Sequence, residues 1–162
     1  MNIRKYIVKG SKELENKHYI EHFNITTAFL GDNICISHVV SKRANSTFEK
    51  KFLITGENEV EKDIIYAEKV EIDGKIFNAL HNCAFNVIGK ERKIFYIDNL
   101  PAIAIDEYQY PVNVEIATIY FNSEEAKSNF TAPCWLDEEI TDNPELYEIK
   151  LRSSKFCNFN PY

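Results

Sequence analysis

Positive charge is scarce in this chain of 162 residues: 19 Lys and Arg stand against 25 Asp and Glu, for a net charge of −6. That balance excludes the broad basic footprint of a nucleic-acid binder or of a protein docking on an anionic membrane, so any anion site must be local. Glycine and proline are few, 5 of each, and no linker, repeat or low-complexity tract interrupts the sequence. With 44% hydrophobic residues, disorder is excluded as well. No apolar run approaches the roughly 20 residues of a membrane span. The start, Met1-Asn-Ile-Arg-Lys, does not read as a signal peptide, which makes the cytoplasm the expected location. No glycine-rich phosphate loop is present to suggest a common nucleotide fold. Cys35, Cys83, Cys134 and Cys157 form no C-x-x-C pair, so they are expected to be reduced and mostly buried rather than zinc ligands. His18, His22, His38 and His81 show no metal-ligand spacing, and none lies in a nucleophile motif. One domain over 1–162 with a real core is expected at this length.

What is there is strand after strand. β-branched and aromatic runs cover Ile3 to Val8, His18 to Thr27, Asn33 to Ser41, Phe48 to Thr55 and Asp63 to Val70. Turn signals at Gly31-Asp32, Arg43-Ala44-Asn45 and Gly56-Glu57-Asn58 separate them. The period then changes: Ile72, Ile76, Phe77 and Leu80 share a helical face, weakened by Gly74 at about 1 kcal/mol relative to Ala. Strand character returns at Phe85 to Ile97, Ala102 to Tyr108 and Val112 to Phe121. Ser123-Glu-Glu-Ala opens a helix with a good N-cap and acids in its first turn. About eight strands joined by short connections predict an antiparallel, mainly β (α+β) fold that closes into a barrel, its interior filled or holding one small ligand.

The segment from Thr131 to Leu151 is more particular. It carries the only tryptophan in Pro133-Cys-Trp-Leu, then Glu139-Ile-Thr-Asp-Asn-Pro144 and one more amphipathic stretch. With the strand and Ser-Glu-Glu-Ala before it, this order resembles the C-terminal end of the CYTH family. These are the triphosphate tunnel enzymes, among them thiamine triphosphatases, polyphosphatases and class IV adenylate cyclases. Earlier pieces follow in the same order: Arg4-Lys-Tyr-Ile-Val, Ile20-Glu-His-Phe-Asn-Ile, Ile88-Gly-Lys-Glu-Arg-Lys and Ile105-Asp-Glu-Tyr. The resemblance runs from Met1 to Leu151 and is strongest from Val87 onward. It implies an eight-stranded tunnel barrel with a few flanking helices, Trp135 buried against it.

The resemblance also implies a chemistry that can be checked residue by residue. In the family, tunnel Lys and Arg bind triphosphate oxygens, and Glu-x-Glu pairs on strands hold Mg²⁺ or Mn²⁺ against them. The i, i+2 spacing sends both carboxylates to one face, and the metal clamp lowers the barrier to phosphoryl transfer. Here the first pair falls at Met1 and Ile3, and the second at Thr118 and Tyr120, so all four carboxylates are missing. The family's Arg-x-Arg falls at Cys35 and Ser37, or at His38 and Val40 in another register. The cations remain: Lys5, Lys90 and Arg92 stand at family positions, and Lys51 (or Lys50 in the neighbouring register) replaces another lysine. Asp106 and Glu139 align with family acids. The expected ligand-binding set is therefore Lys5, Lys51, Lys90, Arg92, Asp106, Tyr120 and Glu139, with no catalytic residue, resident metal or other cofactor.

The function implied is a degenerate tunnel protein that binds a phosphorylated small molecule or nucleotide in a basic cavity. An active Mg²⁺- or Mn²⁺-dependent triphosphatase, polyphosphatase or cyclase is the first alternative. A barrel filled by side chains and serving as a protein-partner module is the second. On an outward face Lys90 and Arg92 are merely solvated charges, and Thr118 and Tyr120 merely packing.

Overall fold

The computed structural model describes residues 2–10, 14, 17–31, 34–56, 68–96, 101–110 and 113–142. Among these residues nine strands are found: β1 (Ile3–Val8), β2 (Tyr19–Phe29), β3 (Ile34–Ser41), β4 (Glu49–Thr55), β5 (Glu68–Glu71), β6 (Asn86–Phe95), β7 (Ala102–Tyr110), β8 (Val114–Tyr120) and β9 (Leu136–Glu139). Two helices join them, α1 (Gly74–His81) and α2 (Glu124–Ser128). All nine strands form one antiparallel sheet in the order β5-β4-β3-β2-β6-β7-β8-β1-β9. The predicted mainly β fold is observed; the count of eight and the closed barrel are not. Among the described residues β5 and β9 end the order without pairing to each other. The reason lies at β1, whose outer edge is taken by β9. The Lys9 amide donates to the Trp135 carbonyl at 3.0 Å, and the Ile140 amide to the Lys5 carbonyl at 2.8 Å. Both end strands are four residues long and largely exposed, which limits the pairing surface they offer to other chains.

Alternation along the strands gives the sheet two faces. One, here the inner face, carries the apolar cluster of Phe29, Cys35, Ile54, Ile88, Tyr108, Ile116 and Ile140. The outer face is covered in two places. At the β3–β4 end, Phe77 and Leu80 of α1 pack with Ile72 on Ala28, Ile36, Leu53 and Val87. At the β1–β8 end, Trp135, Leu136, Phe121 and Leu14 pack on Tyr6, Ile103, Ile105 and Ile119. Trp135 is buried as expected, and its seat is this outer face.

Local chemistry explains the helices. Asp73 caps α1 by accepting from the amides of Lys75 (2.8 Å) and Ile76 (2.9 Å). Gly74 is thus the first helical residue, where its missing side chain matters less than in the interior. Ile76, expected on the packed face, is instead exposed. Ser123 caps α2 through the Ala126 amide at 3.0 Å, as its sequence predicts. Cysteine burial departs from expectation: Cys35 is buried, but Cys83 and Cys134 are exposed, and Cys157 lies outside the described residues. The amphipathic stretch after Pro144 also lies outside them. No described helix is long and apolar enough to cross a membrane.

Candidate functional site

Strand register decides which sequence-predicted residues meet. In one row across the inner face, Ile7, Ile116, Asp106, Arg92, Phe23 and Ser41 stand side by side on β1, β8, β7, β6, β2 and β3. The row on one side of it holds Lys5, Thr118, Ala104 and Ile94. The row on the other side holds Tyr108, Lys90, Ile25, Val39 and Lys50. Lys5, Lys90, Arg92, Asp106 and Tyr120 therefore share the inner face. Cys35 and Ser37 face the same way, so of the two registers considered for the absent Arg-x-Arg, this one points inward.

Asp106 is the centre of the cluster. Its carboxylate accepts from Arg92 Nε at 2.6 Å and from Arg92 Nη2 at 2.7 Å, a bidentate pair. Lys90 Nζ lies 3.3 Å from the same carboxylate, with its side chain buried and its ammonium 5.3 Å from the centre of the Tyr108 ring. Burial by itself would push the Asp106 carboxyl up. The charges of Arg92 and Lys90, the Arg92 hydrogen bonds and the charge of Lys5 overcome that and hold it far below the usual carboxylate range. Three cations thus act on one buried carboxylate. On the same face Thr118, Thr27 and Ser37 are buried, with the two hydroxyls of Thr27 and Ser37 3.5 Å apart.

Two predicted residues lie elsewhere. Lys51 pairs across to His38 on the outer face, where its ammonium sits 6.0 Å from the centre of the Phe77 ring of α1. A shift of one residue in a strand exchanges faces, and Lys50 is the lysine of β4 that points inward. Lys50 meets Glu71 of β5 at 2.9 Å. Glu139 also lies on the outer side, gripped by Arg4 at 2.8 Å and 2.5 Å and by the Thr141 hydroxyl at 2.7 Å. The Arg4 hydrogen bond, ahead of the other influences, holds the Glu139 carboxyl down at about 2. Its position makes it a clasp between β1 and β9.

The residues present do not suit the family's metal. Thr118 and Tyr120 occupy the β8 positions, and Asp106 is already engaged by Arg92 and Lys90. Among the described residues no group of three or more His, Cys, Asp or Glu is arranged to hold a cation. Sequence reasoning missed a recess of about 660 Å³ beside the cluster, lined by Phe23, Ser41, Arg43, Ser46 and Phe48 among others. Only the pairing of Phe23 with Arg92 and Ser41 brings these residues to the site, and no linear motif encodes it.

Comparison with solved structures is consistent with this architecture. The crystal structure of the inorganic triphosphatase NE1496 matches with a TM-score of 0.67 at 18% identity, over 94% of this chain and 97% of that one. A crystal structure described as the hypothetical protein NE1496 gives 0.68 at 16% identity, over 94% and 96%. The PH1819 protein from Pyrococcus horikoshii OT3 matches at 0.53 and 14% identity, over 78% and 82%. No protein-family model and no curated protein sequence matches the chain. The fold is CYTH-like, and at these identities the likeness is one of fold alone.

Proposed function

We propose that this chain binds a phosphorylated small molecule on the inner face of its sheet and does not turn it over. The observation that carries the reading is the convergence of Lys5, Lys90 and Arg92 on Asp106 at the inner face. Like charges held together in a desolvated site destabilise the fold unless anions lie among them. A phosphate is suited to such a set of cations through charge-assisted hydrogen bonds. The fold's likeness to an inorganic triphosphatase favours a phosphorylated ligand over other anions. Turnover is left out of the reading because Thr118 and Tyr120 supply no carboxylate where a metal clamp would need one.

The test is thermal unfolding of the parent and of Asp106→Asn with sodium tripolyphosphate and no added metal. A ligand that binds only the native state raises the melting temperature with the logarithm of its concentration. Asp106→Asn removes the internal counter-ion while keeping the shape, so it lowers the melting temperature in phosphate-free buffer. Tripolyphosphate then recovers more stability in this variant than it adds to the parent, and less so at high salt. If tripolyphosphate shifts neither protein, the cluster is a structural ion network and the reading fails.

A further inference from the structure

The hairpin connection between β3 and β4 carries a pattern that neither the sheet nor its inner face uses. Among the arginines of the sequence, only Arg43 has a serine or threonine three residues after it, Ser46. Arginine at that distance before a hydroxyl is a charge pattern read by the carboxylate-lined grooves of basic-directed protein kinases. Residues 42–48 are all exposed, so the pattern is displayed to solvent.

The base of the connection is anchored. The Ser41 amide donates to the Phe48 carbonyl at 2.9 Å and the Lys42 amide to the His22 carbonyl at 2.8 Å. The rings of Phe48 and Phe23 meet edge to face at 6.0 Å. The tip is held by less. The Ser46 amide donates to the Arg43 carbonyl at 3.0 Å, and the Phe48 amide to the Ser46 hydroxyl at 3.3 Å. Opening these two exposed bonds extends the tip into an enzyme's cleft without breaking a sheet pair, and loop tips are where such opening costs least.

Charge decides which kind of enzyme suits the loop. Lys42 is engaged by Glu91. Glu49, three residues after Ser46, would suit an acid-directed kinase, but His38 at 2.8 Å and Lys51 at 3.4 Å hold it. The Arg43 guanidinium forms no ion pair among the described residues, and the Ser46 hydroxyl donates to no acceptor there. Arg43 is thus the charge that the loop offers to a partner.

We propose that Ser46 is a phosphorylation site for a protein kinase that recognises basic residues, an assignment independent of the anion-binding reading. The Ser46 Oγ attacks the γ-phosphorus of ATP and forms the new P–O bond. The bond from that phosphorus to the β,γ-bridging oxygen breaks, ADP leaves, and the hydroxyl proton passes to the kinase's catalytic aspartate. The phosphoryl group brings negative charge and acceptor oxygens beside Arg43, which is suited to hold them. Both residues line the recess next to Phe23, so the modification also changes the charge at that opening.

Incubation of the full chain with ATP, Mg²⁺ and the catalytic subunit of the cyclic-AMP-dependent protein kinase tests this, read by intact mass and peptide mapping. One phosphoryl group is gained, on Ser46. Ser46→Ala gains none, and Arg43→Ala is modified about tenfold more slowly or worse, the loss of one charge-assisted contact. Both side chains are exposed, so the variants fold. The inference is overturned if the parent gains nothing while the kinase modifies a control peptide. It is equally overturned if the group lies on Thr47, Ser153 or Ser154, or if Arg43→Ala reacts as fast as the parent.

Discussion

At the scale of single residues, Tyr6 shows how position within the sheet overrides composition. Its ring is buried among Ile105, Ala117 and Ile119, and among the described residues its hydroxyl has no hydrogen-bond partner. Burial raises the Tyr6 pKa, and the negative charge of Glu139 raises it further. An unsatisfied buried hydroxyl costs on the order of 1–3 kcal/mol. Tyr6→Phe keeps the ring and deletes that cost, so denaturant unfolding should find the variant as stable as the parent or up to about 1 kcal/mol more stable. A loss of more than about 1 kcal/mol would show that the hydroxyl is bonded to Glu139 after all. The two adjacent lysines of β4 teach the same lesson. Lys51 lies against Phe77 outside and Lys50 turns inward, a difference no property of the residue type reveals.

Among the elements, β9 is the one whose attachment most depends on a few contacts. Arg4 holds Glu139 through two hydrogen bonds, donates to the Phe130 carbonyl at 3.1 Å, and lies over the rings of Tyr6 and Phe130 at 5.3 Å and 5.7 Å. Glu139 contributes only its share of a partly exposed pair, worth at most about 1 kcal/mol. Arg4→Ala should therefore cost about 1–2 kcal/mol and Glu139→Gln less, as denaturant midpoints will show. The sign with pH follows from the depressed carboxyl. Glu139 titrates at about 2 in the fold against 4.5 otherwise, so its contribution is present above the higher value and fades as pH falls toward the lower. Glu139→Gln should flatten the stability profile across that window; an unchanged acid limb would mean the clasp is not formed in solution. The bounds of β1 were legible from Ile3 to Val8, as was the Ser123 cap of α2, because local propensity and packing agree there. β9 was not, because Asp137-Glu-Glu reads as a solvated run or a helix start. Its pairing is decided by the free edge of β1, 130 residues away in sequence, and that same pairing accounts for the barrel expected from the strand count remaining an open sheet. That Lys90 and Arg92 share a face was legible from their i, i+2 spacing, whereas the recess depends on register between β2, β3 and β6.

At the scale of the whole molecule, the question is whether a tunnel-like sheet with this inner face transfers phosphoryl groups. Chemistry of that kind asks for charge neutralisation on the transferred group and for an oriented nucleophile. The inner face supplies cations, which in the function proposed above bind the anion. A cation site, however, needs carboxylates free to turn toward the ligand, and hard cations are commonly held by one or two of them. Asp106 is held bidentately by Arg92 at 2.6 Å and 2.7 Å and flanked by Lys90, so turning it toward a metal would break that buried pair. Thr118 is buried and neutral, and Tyr120 offers only a phenol. Phosphate release from tripolyphosphate, ATP or thiamine triphosphate is therefore expected to stay at the rate of protein-free controls, with Mg²⁺ or Mn²⁺ present. A colorimetric phosphate assay over hours at saturating ligand is sufficient to detect slow turnover. Metal-dependent release that disappears in Asp106→Ala would overturn the expectation, because it would show that the carboxylate leaves Arg92 to serve a metal. Release that survives in Asp106→Ala would point instead to a contaminating phosphatase, which a second purification step would remove.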